Sequence, residues 1–142
     1  RSQIWVQPVS PDGLSVTSHP VPLLSTDREW EGRVIEAPSM ALLGGRWVLL
    51  YSGNSWNTDR YGIGYAHCEG PLGPCSKPSD NVLLASDDRL RGPGGAEAFR
   101  TAGGRAMIAY AGWDAGDVGP PNPRRLHIAE LTMGPDGRLR VA

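Results

Sequence analysis

Short apolar runs, each broken by glycine or proline within a few residues, follow one another along the whole chain. Gln3 to Val9 (QIWVQPV) reads as a strand and Ser10-Pro11-Asp12-Gly13 as a turn with glycine at the positive-φ position. Leu14 to Val16 then reads as a short outer strand running back. Val21 to Leu24 leads through Trp30 into the segment Glu31 to Met40. Met40 to Leu43, a Gly44-Gly45 turn and Arg46 to Ser52 (RWVLLYS) form a hairpin pattern. A polar loop from Gly53 to Arg60 precedes another strand, Tyr61 to Cys68 (YGIGYAHC). No window of a dozen residues carries a helical period. The pattern predicts an all-β chain with many tight turns.

The same order of elements then returns. Gly44-Gly45-Arg46 recurs as Gly103-Gly104-Arg105, Met40 as Phe99, Tyr51 as Tyr110 and Gly53 as Gly112, each at an offset of 59 residues. Arg105 to Ala111 repeats Arg46 to Ser52, and after a polar loop Arg125 to Leu131 (RLHIAEL) repeats the third strand. Its Pro135-Asp136-Gly137 turn echoes Pro11-Asp12-Gly13. Four short antiparallel strands per unit at a fixed spacing are the signature of a β-propeller blade. A sandwich can be built from similar hairpins, but the fixed offset favours the propeller. One partial propeller domain is therefore expected over residues 1–142. It has a trailing half-blade at 3–16, a full blade at 36–84 and a full blade at 95–141. Half a blade leaves an unpaired edge, and two and a half blades close no ring. A preceding segment carrying the remaining blades, or an oligomeric partner completing them, is expected.

Composition narrows the partners. Fourteen basic and fifteen acidic residues give a net charge of −1, with no basic stripe for nucleic acid. No apolar run approaches the roughly 18 residues of a membrane span. Arg1 to Trp5 enters strand-like sequence at once, which says little about a leader in the natural precursor. The two cysteines, Cys68 and Cys75, flank a Gly-Pro turn without further Cys or His at metal-site spacing. A local disulfide across a strand–turn–strand connection is expected, with two free thiols as the alternative, and it points to an exported protein.

The chemistry centres on Glu36, a lone carboxylate between Val34, Ile35, Ala37 and Pro38. Partial desolvation disfavours a carboxylate's charged form and suits it to giving up a proton. A surface glutamate at a strand end is the ordinary alternative. Trp5, Trp47 and Tyr110 fall within strand patterns and are assigned to the core. Trp30, Trp56 and Trp113 lie in loops or at strand ends, where a ring face is open to stack on a ligand. Asn54 and Arg125 are further candidates for ligand contacts. The aspartates sit mainly in turns, and His19, His67 and His127 read as structural or solvent-exposed. No G-x-S-x-G elbow, P-loop, HExxH or dinucleotide fingerprint is present.

In order along the chain, IWVQPVSPDGL, WEGRVIEAPSM, WVLLYSGNSW, YGIGYAHCEGPLGPC, RGPGG and RRLHIAELTMGPDG resemble the second half of a glycoside hydrolase family 43 catalytic domain. The resemblance covers nearly all of the chain. It implies a five-bladed propeller and an inverting hydrolase directed at arabinose- or xylose-containing plant polysaccharide. It further implies that Glu36, in the family's E-[GA]-P segment, is the general acid. The family's two aspartates, one a general base and one tuning and orienting, map to no residue here and are expected outside this chain. An inverting mechanism sets acid and base roughly 6.5–9.5 Å apart. Many relatives carry a His after Gly-Pro-Gly that can help hold a metal, such as calcium, at the propeller axis. Gly95 stands there in this chain, so no cofactor is expected. A truncated, non-catalytic carbohydrate-binding or interaction module is the alternative reading.

Overall fold

The strand Arg46–Gly53 explains most of the architecture. Its last six residues, Val48 to Gly53, are all buried. Strand side chains alternate sides, so an unbroken apolar run marks a strand covered on both faces. Val48 and Leu50 point into one core with Ile63, Tyr65, Ala96, Ile108, Tyr110, Leu131 and Leu139. Leu49 and Tyr51 point into a second core with Ile4, Leu23, Leu24, Ile35 and Ala66. Each such leucine or isoleucine contributes roughly 1.5–3 kcal/mol of transfer free energy. The strand is thus the middle layer of three stacked sheets.

The computed structural model describes all 142 residues. The strands are β1 (Gln3–Val6), β2 (Val21–Ser25), β3 (Ile35–Leu43), β4 (Arg46–Gly53), β5 (Gly62–Cys68), β6 (Cys75–Ser76), β7 (Val82–Leu84), β8 (Leu90–Arg100), β9 (Ala106–Asp114), β10 (Arg125–Met133) and β11 (Leu139–Val141). There is no α-helix, and no helix is long and apolar enough to cross a membrane. The sheets are a β1-β2 hairpin, a middle sheet ordered β3-β4-β5-β6 with β7 also on β5, and a third sheet ordered β8-β9-β10-β11. All pairings are antiparallel. The outer strand of the middle sheet comes in two pieces, β6 and β7, separated by Lys77-Pro78-Ser79-Asp80-Asn81, because proline has no N–H for the ladder.

Several expectations need correction. Leu14–Val16 is no strand: Val16 makes only an isolated bridge to Val9, and β2 is the real partner of β1. Residues 11–20 are all exposed, so no apolar contact holds them in a sheet. Trp5 is 50 % exposed and not core. Ile4 takes the inward side of β1, and alternation turns Trp5 out. Tyr110 is buried and Trp47 half-buried.

The repeat also shifts by one between strands. Ser52 pairs with Glu36 and Ala111 with Gly94, so β4 and β9 are 59 apart while β3 and β8 are 58 apart. The second hairpin has one more loop residue. Met40 therefore corresponds to Ala98, and Phe99 to Ala41. Finally, a 3-10 turn at Glu29–Glu31 had no signal in the apolar pattern. It forms because the Glu31 carboxylate accepts the backbone N–H groups of Asp27 (2.9 Å) and Arg28 (3.1 Å). Cys68 and Cys75 are register partners of β5 and β6 and are joined as a disulfide.

Candidate active site

Glu36 is held by a bulge at the start of the innermost strand of the middle sheet. Glu36 faces Ser52 and Ser39 faces Leu50, so Ala37 and Pro38 together oppose Tyr51. Ala37 has φ of 50°, a left-handed conformation rare for a residue with a Cβ. Such bulges re-aim side chains at sheet ends. Here the result is a half-buried carboxylate whose Oε1 accepts the Tyr61 hydroxyl at 2.7 Å.

Tyr61 is itself buried, and burial pushes its hydroxyl up to about 12, with the Ser52 hydroxyl opposing and the Glu36 carboxylate adding to the rise. Its ring lies against Gly94, where a Cβ would overlap it. The Arg124 guanidinium stands 5.4 Å from the Tyr61 centroid and 4.5 Å from that of Trp113. Arg124 donates to the carbonyls of Gly92 (2.6 Å), Ala111 (2.8 Å) and Trp56 (3.2 Å), and burial lowers its pKa. Ser52 completes the cluster, its Oγ accepting the Gly95 N–H at 2.9 Å.

The expected sugar-contacting residues divide. Trp56 is 53 % exposed in the β4–β5 loop and offers a free ring face. Trp30 is half-buried, packed over Gly53, Gly62 and Gly64, with its Nε1–H on Asn81 Oδ1 at 3.2 Å. Asn54 spends its side chain locally, donating to the Trp30 carbonyl (2.9 Å) and accepting from Ser55 N–H (2.9 Å). Trp30, Asn54 and Tyr61 line one cavity of about 690 Å³ with Asp59, Arg60 and Asn81; Glu36 is not in its lining and meets it through the Tyr61 hydroxyl. Trp113 is different: it is 1 % exposed and bonds the Asn122 carbonyl at 3.1 Å, so it packs and presents no face to a ligand. Arg125 points outward into an ion pair with Asp114 at 2.7 Å, and its neighbour Arg124 is the arginine that turns in.

Tyr61, Ser52 and Arg124 were not singled out from sequence. Tyr61 reads as the first residue of a strand, and no local signal separates Arg124 from Arg125. Beneath Trp30 lies a further unpredicted group. Glu31, fully buried, accepts from Tyr51 (2.6 Å) and Lys77 (2.6 Å), and Lys77 also reaches Asp27 and the Ser25 carbonyl, both at 2.7 Å. Burial first, and the Glu31 carboxylate second, push the Tyr51 hydroxyl far above its ordinary value.

Several aspartates are engaged elsewhere, while Asp59 lines the cavity beside Tyr61. Asp80 pairs with Arg138 and Asp136 with Arg140, and Asp12 is held below the usual range first by the Ser10 hydroxyl, then by the Leu14 N–H. His19 is exposed, His127 stacks on Tyr110, and burial followed by the Arg46 charge lowers His67. Gly95 contributes no side chain, and no group of three or more His, Cys, Asp or Glu is placed to hold a metal ion. The donor set that relatives use for an axial metal does not fit this chain, and no step below runs through one.

Stacked antiparallel sheets of this kind are blades of a β-propeller. The chain belongs to Glycosyl hydrolases family 43, whose profile matches residues 1–139. Among solved structures it is similar to a thermostable family-43 glycoside hydrolase, with 31 % identity and a TM-score of 0.87 over 98 % of this chain and 46 % of that one. An endo-1,4-beta-xylanase from Bacteroides thetaiotaomicron VPI-5482 gives 27 % identity and a TM-score of 0.87 over 99 % of this chain and 50 % of that one. An alpha-L-arabinofuranosidase from Lactobacillus brevis shares the fold at 23 % identity and a TM-score of 0.81, over 96 % of this chain and 46 % of that one. The chain thus spans about half the length of the structures it matches. No curated protein sequence matches it.

Proposed function

We propose that this chain supplies the acid-bearing half of an inverting glycoside hydrolase that acts on arabinose- or xylose-containing plant polysaccharides or oligosaccharides. Glu36 is its general acid. The observation that carries the reading is the placement of Glu36: a half-buried carboxylate, aimed by a bulge, with one oxygen taken by Tyr61. In the step, the Glu36 proton passes to the glycosidic oxygen as its bond to the anomeric carbon breaks. Water attacks that carbon from the opposite side and loses its proton to an aspartate base outside this chain. The similarity to a xylanase supports the pentose substrate class.

The completing half of the propeller is part of the proposal. Leu126 and Ile128 on β10 are 71 % and 57 % exposed, and Trp5 on β1 is 50 % exposed, which leaves apolar surface on strands of the first and third sheets. The disulfide supports export as part of this reading, and fractionation of the source cells with thiol titration tests it.

Hydrolysis of aryl arabinofuranosides and xylosides by the complete natural protein, against Glu36→Gln, is the decisive assay. The variant is expected to lose about 10²–10⁴-fold in rate; undiminished activity removes the acid assignment. A second reading, a non-catalytic carbohydrate-binding or interaction module, is favoured by the family's two aspartates mapping to no residue of this sequence. Calorimetric sugar binding without hydrolysis on long incubation of the complete natural protein favours that reading.

A further inference from the structure

We propose that Tyr61 is a positioning residue that decides which oxygen of Glu36 delivers the proton. This rests on the reading of Glu36 as general acid. The Tyr61 hydroxyl donates to Glu36 Oε1 at 2.7 Å, while Oε2 takes no hydrogen bond from the chain. In a neutral carboxyl group the carbonyl oxygen is the better acceptor, so the donated O–H favours the form with the acidic proton on the other oxygen. The proton of neutral Glu36 is thereby assigned to Oε2, the oxygen left free for a substrate. Once the proton has gone to the leaving oxygen, Glu36 is a carboxylate and the Tyr61 bond becomes charge-assisted, about twice as strong. The contact strengthens as the reaction proceeds, which is the kind of interaction that lowers a barrier.

The chain itself holds a comparison. Tyr51 donates to Glu31 Oε1 in nearly the same geometry, 2.6 Å, and both groups are buried. There Lys77 shares Oε1 and two backbone N–H groups fill Oε2. No oxygen of Glu31 is left for a ligand, so that pair is structural. Glu36 differs in having one oxygen fixed and one open.

The ring of Tyr61 has little room to move. Gly94 lies flush against it, Arg124 stands over it, and Arg124 is tied by three carbonyls. A hydroxyl on so constrained a ring reaches one place. Fixing a reacting group to within a fraction of an ångström is worth large rate factors.

The test uses the complete natural protein and two substrates with the same sugar, a phenyl glycoside and a 2,4-dinitrophenyl glycoside. The poor phenolate leaving group needs protonation and the activated one does not. Tyr61→Phe is expected to lose about tenfold or more in kcat on the phenyl glycoside, and less than about twofold on the dinitrophenyl glycoside. The ratio between substrates is independent of how much of the preparation is folded. Tyr51→Phe, measured alongside, is expected to keep the wild-type ratio despite its lost hydrogen bond. Equal losses on both substrates for Tyr61→Phe, or no loss on either, overturn the positioning role. Glu36→Gln on the same pair separates the two claims. If it shows the split and Tyr61→Phe does not, the Tyr61 proposal alone fails; if it shows no split, the acid assignment falls and takes this proposal with it.

Discussion

Lys77→Met is the sharpest test of how the site is supported. The substitution keeps the length and apolar volume of the stem and removes only the ammonium. That ammonium is 3 % exposed at the side-chain level and neutralises Glu31, which is fully buried. Removing one member of a buried ion pair costs about 3–5 kcal/mol, because the other charge is left without compensation. Three of the hydrogen bonds to Glu31 survive, from Tyr51 and the backbone N–H groups of Asp27 and Arg28. They continue to stabilise the carboxylate and place the loss near the lower bound. The Ser25 carbonyl loses its donor, which adds about 1 kcal/mol. The pair with half-exposed Asp27 contributes little.

The expected loss is therefore about 3–4 kcal/mol. At about 3 °C per kcal/mol for a domain of this size class, the melting temperature falls by about 10 °C. Urea denaturation should show a lower midpoint at unchanged slope. The double variant with Glu31→Gln should be less destabilised than the sum of its parts by about 0.5–3 kcal/mol, since each single change strands what the other removes. A loss below about 1 kcal/mol for Lys77→Met, or additivity within about 0.5 kcal/mol, refutes the reasoning.

Other consequences follow from the same contacts. Gly94→Ala puts a methyl group into the Tyr61 ring; a loss of about 1–3 kcal/mol by overpacking is expected in denaturation, with a fall in activity on phenyl glycosides. Burial holds the Tyr61 hydroxyl up to about 12 and raises Tyr51 further above the ordinary 10.0, so the unfolded chain ionises first. The stability these phenols contribute is intact below about pH 10 and lost as pH rises toward about 12; denaturation midpoints with phenolate absorbance check it, and a flat profile above about pH 10 contradicts it. Cys68→Ser with Cys75→Ser opens a seven-residue separation and should cost about 2–3 kcal/mol in chain entropy, read by melting with and without reductant. Trp56→Ala should raise KM about tenfold with kcat little changed if its exposed face stacks on sugar, and an unchanged KM argues against that contact.

Sequence periodicity carried the fold well, because blade strands buried on both faces leave runs such as WVLLY that no amphipathic helix would show. It failed where residues are held by polar contacts instead of apolar ones. The Glu29–Glu31 turn is built by one carboxylate capping two N–H groups, and Lys77 sits 46 residues away from the carboxylate it neutralises. No local window contains that pairing. Trp113 departs from expectation for a related reason: it ends a strand, where loop exposure is ordinary, yet Arg124 and the Asn122 carbonyl close over it. Nothing local sets Arg124 apart from Arg125; it turns inward on its bonds to the carbonyls of Gly92, Ala111 and Trp56, all outside its own segment.

The one-residue slip of the repeat locates the site more sharply than the repeat itself. In the middle sheet Ala37 and Pro38 bulge opposite Tyr51; in the third sheet Gly95 and Ala96 bulge opposite Tyr110. The same distortion is therefore built twice, at equivalent places on two innermost strands. Glu36 and Gly94 precede the two bulges as structural counterparts, each paired with the matching residue of the next strand, Ser52 and Ala111. Tyr61 touches both: its hydroxyl meets the carboxylate of one and its ring rests on the bare backbone of the other. Had the third sheet carried any side chain at that position, the ring would be displaced and the hydrogen bond broken. The glycine is thus as much a requirement of the acid's geometry as the tyrosine. A repeated backbone device becomes a site only because one copy holds a carboxylate and its neighbour gives up its side chain to make room.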